Sequence, residues 1–128
     1  MNEIIIAEDD SASREVLCLL LSSWGYRVIE ARNGAEALQK IGESLPDLVV
    51  CDIQMPLLDG VGLVQALRRD ENLANLPVIA LTGMAVSDSE AIASAGFTTY
   101  QSKPVNSVLL KKNVERLLQK AGKESKRK

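Results

Sequence analysis

Short apolar runs alternate with longer amphipathic stretches along the chain. The first run, Glu3–Ala7, centres on Ile4, Ile5 and Ile6 and predicts a strand buried on both faces. In residues 11–24, Val16, Leu17, Leu20, Leu21 and Trp24 recur at intervals of three and four, which predicts a helix with one apolar face that Gly25 ends. Residues 26–30, with β-branched Val28 and Ile29, predict a second strand. Asn33-Gly34-Ala35-Glu36 has the form of a capping box and opens a second helix through Ile41. Pro46 precedes a third strand over residues 47–52, built on Leu48, Val49 and Val50. A loop with Pro56 and Asp59-Gly60 leads to a helix carrying Val64 and Leu67. Pro77 opens a fourth strand, Val78–Thr82, and Ser87-Asp88-Ser89-Glu90 is a second capping box, ahead of a helix ending near Gly96. A short fifth strand, Thr99–Ser102, follows. Asn106 is placed to cap a last helix, with Leu110, Val114, Leu117, Leu118 and Ala121 on one face.

Five strand-helix units in sequence, with strands apolar throughout, predict an α/β fold with a parallel sheet covered on both faces. Right-handed crossovers make the doubly wound open sheet the economical solution. The length of 128 residues fits one domain, since domains commonly hold about 100–150 residues. We expect that domain over residues 1–121 and a basic flexible tail over 122–128, where apolar periodicity stops and charge takes over.

Composition narrows the chemistry. The chain has no histidine, which excludes a Ser-His-Asp or Cys-His nucleophile, a histidine general base and any His-ligated zinc site within it. The net charge of −2 hides an asymmetry: residues 1–59 hold eleven acids against four bases, and residues 60–128 six against eleven. Without the tail the body is acidic, a poor match for phosphate backbones, so no direct nucleic-acid partner is expected. Cys18 and Cys51 have no CxxC spacing, lie in apolar runs and read as buried free thiols. The chain opens without a basic, apolar leader, and no apolar run approaches the ~18 residues of a membrane span, so a cytoplasmic location is expected.

In a doubly wound sheet, ligands bind beyond the carboxyl ends of the strands. Strand one ends in Glu8-Asp9-Asp10, strand three in Asp52 and strand four in Thr82, and strand five is followed by Lys103-Pro104. Strand two ends in Glu30-Ala31-Arg32 and adds nothing obvious. Singly, such residues are ordinary solvated loop acids, a cap and a surface lysine. Together they bring carboxylates, a hydroxyl and an ammonium to one edge. Clustered carboxylates repel and call for countercharge. Mg2+, which takes oxygen ligands and meets phosphate, is the natural counter-ion, with Mn2+ a second candidate. A carboxylate beside a metal, a lysine and a hydroxyl is a plausible phosphoryl acceptor, with Asp52 as nucleophile.

These segments resemble the receiver domain of two-component response regulators over about residues 3–121. The resemblance is carried by Ile4-Ile5-Ile6-Ala7-Glu8-Asp9-Asp10, by Leu48-Val49-Val50-Cys51-Asp52 running on to Asp59-Gly60, by Pro77-Val78-Ile79-Ala80-Leu81-Thr82-Gly83, and by Ala95-Gly96-Phe97 leading through Tyr100 to Lys103-Pro104. It implies strand order 2-1-3-4-5. It implies Asp52 as phosphoacceptor, with metal held by Glu8, Asp9, Asp52 and the backbone carbonyl of Gln54. Thr82 and Lys103 would bind phosphoryl oxygens, Tyr100 would turn inward as Thr82 moves, and Pro104 matches a cis-peptide position. The implied partners are a histidine kinase or histidine phosphotransfer protein as donor and a downstream protein or attached output domain. The missing histidine then means that a phosphohistidine donor lies outside this chain. The runs around Asp52 and Thr82 lean towards receivers attached to hybrid sensor kinases.

Gln54 and Met84, two residues after Asp52 and Thr82, flank the path of a hydrolytic water in the family. Apolar Met84 is expected to slow its attack. Three other functions compete. A pseudo-receiver docking without phosphorylation is disfavoured by the intact Asp52, Thr82 and Lys103. A haloacid-dehalogenase-like phosphatase would want an acid where Gln54 stands, and its nucleophile on strand one. A flavin carrier would want a Ser/Thr/Gly-rich loop after strand one.

Overall fold

The computed structural model describes residues 2–83 and 89–126. The elements are β1 (Glu3–Ala7), α1 (Ser11–Ser23), β2 (Arg27–Ala31), α2 (Gly34–Ser44), β3 (Leu48–Asp52), α3 (Gly60–Arg69), β4 (Val78–Thr82), α4 (Ser89–Ala95), β5 (Thr99–Ser102) and α5 (Ser107–Lys126). The strands form one parallel sheet in the order β2-β1-β3-β4-β5, the doubly wound order expected. Met84 and the Ser87-Asp88 half of the second capping box lie outside the described residues.

Strand periodicity divides the core into two layers. Ile4, Ile6, Leu48, Val50, Ile79 and Leu81 face α1 and α5, where Leu17, Leu21, Leu110, Val114 and Leu117 cover them. The alternate residues Ile5, Ala7, Val49, Cys51, Val78 and Ala80 face α2, α3 and α4. Ile4, Ile5 and Ile6 are fully buried, and each contributes about 1.5–3 kcal/mol of transfer free energy. Phe97 is buried, and Trp24 packs at the edge of the α1/α5 layer with the Lys111 Nζ 5.9 Å from its ring centre.

Several boundaries differ from the expectation for identifiable reasons. β2 starts at Arg27 because the Tyr26 N–H turns back to the Leu21 carbonyl, 3.2 Å away, while the Arg27 N–H reaches Asn2. α2 continues past Ile41 to Ser44 and stops where Leu45 takes a left-handed conformation with its N–H on the Ile41 carbonyl. α5 runs to Lys126, beyond the end of its apolar stripe at Ala121, over a segment whose Ala, Lys and Glu residues favour helix. Val16 is exposed rather than buried: it lines an open groove with Ala12, Leu20, Pro104 and Val105 instead of meeting the sheet. Cys18 is only half-buried, whereas Cys51 is enclosed and its thiol pKa is pushed up to about 12, first by burial and then by the charges of Asp52 and Asp59.

Gly42, in the body of α2, has nothing within 4 Å of the position a Cβ would take. Gly42→Ala is therefore expected to stabilise the fold by about 0.5–1 kcal/mol, read as a higher urea midpoint at unchanged slope.

Candidate functional site

Parallel register brings the carboxyl ends of the strands to one edge. Ala7 pairs with Cys51, Asp52 with Leu81, and Thr82 with Ser102. The residues at or just past those positions are Glu8, Asp9, Asp52, Thr82 and Lys103. One carboxylate oxygen from each of Glu8, Asp9 and Asp52 lies within 4.8 Å of the others. Glu8 and Asp52 are buried and Asp9 is exposed. The Lys103 Nζ lies 2.6 Å from Asp52 Oδ2 and 3.3 Å from Glu8 Oε2. Asp52 Oδ1 accepts the Gln54 N–H at 3.0 Å, so both oxygens of this carboxylate are oriented.

The three consecutive acids after β1 have different tasks. Asp10 is the N-cap of α1: it accepts from the Ser13 N–H at 2.9 Å and the Ser13 hydroxyl at 2.7 Å, which holds its pKa below the ordinary value. Glu8 turns inwards, with Oε1 on the Asp10 N–H at 3.1 Å. Burial raises the Glu8 pKa above the usual carboxylate range. The Asp10 N–H opposes that, and the negative charge of Asp52 adds to it. Asp9 remains to face the cluster from the solvent side.

The loop after β3 is held from three sides. The Ile53 N–H donates to Leu81, and the Gly60 N–H returns to the Ile53 carbonyl at 2.8 Å. Asp59 caps α3 through the Gly62 N–H at 2.8 Å. The N-terminus of α2 presses against the loop at Leu58, next to Leu57, which is 86% exposed and left-handed with φ 69°. Gln54 is exposed and lines a cleft with Asp9, Met55 and Asp59.

Thr82 is buried at the end of β4, and its carbonyl accepts the Lys103 N–H at 2.8 Å. The Lys103-Pro104 peptide is cis. Burial lowers the Lys103 pKa, but the hydrogen bond and charge of Asp52, with Glu8 behind, outweigh it, so the net shift is upwards. Tyr100 is not part of the acidic cluster. It is half-buried in β5 and packs on the α2/α3/α4 side of the sheet.

The donor set is all oxygen, and its three carboxylates face one ammonium among the described residues. That excess of negative charge fits a hard divalent cation bound through one or two carboxylates. Residues 4–115 match the response regulator receiver domain family. The chain belongs to that family. Its receiver fold and acidic pocket make it a phosphoacceptor signalling module rather than a metabolic enzyme. The receiver is 38% identical over 104 residues to the polar-differentiation response regulator DivK of Brucella anthropi, covering 80% of this chain and 85% of that protein. It superposes on a putative response regulator from Chloroflexus aurantiacus with a TM-score of 0.88 and 34% identity, covering 92% of this chain and 98% of the other. A third relative is the receiver domain of the sensor histidine kinase PA1611 of Pseudomonas aeruginosa, which has a magnesium ion coordinated in its active-site cleft. There the TM-score is 0.86 and the identity 31%, over 92% of this chain and 98% of that one. Among the described residues no helix of the receiver is long and apolar enough to cross a membrane.

Two contributors escaped the reading of strand ends. Arg14 donates from Nη1 to the Glu8 carbonyl at 2.9 Å. Its signal was a cation in the first turn of a helix, where the helix dipole disfavours one. Gly34 abuts Leu58, and a capping-box pattern carries no trace of that long-range contact.

Proposed function

We propose that Asp52 is the acceptor of a phosphoryl group from the phosphohistidine of a histidine kinase or histidine phosphotransfer protein. Support comes from the Lys103 ammonium, 2.6 Å from the Asp52 carboxylate, inside a trio of carboxylates within reach of one cation. The phosphorus–nitrogen bond to the donor imidazole breaks and takes its electron pair to nitrogen, as a phosphorus–oxygen bond to Asp52 forms. Glu8, Asp9, Asp52 and the Gln54 main-chain carbonyl would hold Mg2+, or Mn2+. Such an ion, when bound, supplies positive charge to the transferring oxygens.

The chain's own residues do the rest. Lys103 orients Asp52 and offsets charge on a phosphoryl oxygen, and the Gln54 N–H fixes the rotation of the carboxylate. Thr82 supplies a hydroxyl to a second phosphoryl oxygen. As Thr82 moves to that oxygen, Tyr100 turns inwards and changes the surface offered to a downstream protein or attached output domain. In this structure Tyr100 is half-buried, packed against the α2/α3/α4 side of the sheet, which is the starting position for such a turn.

Intact mass spectrometry after incubation with acetyl phosphate and Mg2+ tests this reading. One phosphoryl adduct is expected on the wild type and none on Asp52→Asn or after chelation. An unmodified wild type, or an adduct that persists in Asp52→Asn, would overturn it.

A further inference from the structure

Arg14 is set apart by where its guanidinium goes. It stands in the first turn of α1, where a positive charge opposes the helix dipole, yet its side chain is only 15% exposed. Nη1 donates to the Glu8 main-chain carbonyl at 2.9 Å, and Nε pairs with Glu30 Oε1 at 3.4 Å. Glu30 belongs to β2, whose backbone is tied in turn by the Lys40 Nζ on the Glu30 carbonyl at 2.6 Å. Glu8 is thus held on both peptide sides, since its N–H donates to Ala31 of β2 at 3.1 Å.

The carbonyl that Arg14 grips belongs to the rigid, planar peptide that also contains the Asp9 nitrogen. Fixing it fixes where the Asp9 Cα sits. Among the described residues the Asp9 carboxylate has no hydrogen-bond or ion-pair partner of its own, so its aim depends on that backbone. We infer that Arg14, oriented by Glu30, is a positioning residue: it sets the Glu8–Asp9 peptide and thereby the affinity of the acidic cluster for a divalent cation. This rests on the reading of Glu8, Asp9 and Asp52 as a cation site.

Positioning and simple charge predict opposite signs. Arg14 is a cation near three carboxylates, so as a charge alone it repels a divalent ion, and its removal would tighten binding. As a positioning group its removal loosens binding, since partners that orient metal ligands are typically worth about 10–100-fold in affinity. Mn2+ alone, titrated against the full chain by electron paramagnetic resonance, reads the difference. Arg14→Met is expected to weaken Mn2+ binding roughly tenfold. Arg27→Met removes the same charge from a pair with Glu3 at the opposite end of the sheet, and is expected to leave affinity unchanged. The same comparison in the Gly42→Ala background keeps a folded protein should Arg14→Met be unstable. Unchanged or tighter binding by folded Arg14→Met would overturn the role of Arg14 alone. Failure of the wild type to bind Mn2+ would overturn the cation site, and this inference with it.

Discussion

Gly60→Ala is expected to abolish stable folding, lowering stability by more than about 4 kcal/mol. A Cβ at Gly60 would stand 2.6 Å from the Asp52 carbonyl oxygen and 2.8 Å from the Ile53 Cα. Both neighbours are backbone, so no rotamer change relieves the clash. The Asp52 carbonyl cannot retreat freely, because β3 is flanked by β1 and β4 and buried along its length. Relief would have to come from withdrawing α3, which breaks the bond from the Gly60 N–H to Ile53 and uncovers Leu63, Val64 and Leu67. Far-ultraviolet circular dichroism during urea titration checks this. A native-like midpoint would show that the α3 N-terminus moves more easily than the packing implies. The contrast with Gly42→Ala is instructive: the same added methyl helps in open space and destroys the fold against buried backbone.

Lys103→Met is expected to act in opposite directions on two observables. Phosphorylation by acetyl phosphate should slow roughly a hundredfold, the usual consequence of removing one charge-stabilising donor from a reacting centre. Mg2+ binding should tighten several-fold, because Lys103 competes with the ion for Asp52 and Glu8, at 2.6 and 3.3 Å. Without Mg2+ the variant should also be less stable, since Glu8 and Asp52 lose their shared cation. The loss should be smaller than the ~3–5 kcal/mol of breaking a fully buried pair, because Lys103 is 33% exposed and solvent screens it. Saturating Mg2+ should recover the lost stability. Mass spectrometry gives the rate, calorimetric titration the affinity and thermal melts the stability. A wild-type phosphorylation rate would remove Lys103 from the reaction.

The sheet was legible from sequence because its signal is local. Three consecutive isoleucines, or Leu48 through Val50, admit few readings other than a strand with both faces covered. The strand-end residues were legible for a related reason: in a parallel sheet, position along the strand is position in space. What was hidden depends on contacts between distant segments. Val16 keeps helical spacing with Leu20 yet lines the groove beside Pro104 and Val105 instead of meeting the sheet. Glu8, Asp9 and Asp10 are chemically alike in sequence, and only the Ser13 hydrogen bonds of Asp10 separate a helix cap from the two acids that face Asp52. Arg14 could be noticed as misplaced in its own helix, but its target is a carbonyl, which no residue type announces.

The bonds from Lys103 to Asp52 and to Glu8 span 51 and 95 positions of chain. During synthesis the acids emerge first and the ammonium last, so a growing chain with β1, α1, β2, α2 and β3 carries an uncompensated acidic trio. On the proposed reading, a partly made protein would therefore accept a phosphoryl group no faster than Lys103→Met. The full rate would arrive only when β5 docks on β4 and brings Lys103 to the acids, so rapid phosphorylation becomes a chemical certificate that the chain has closed.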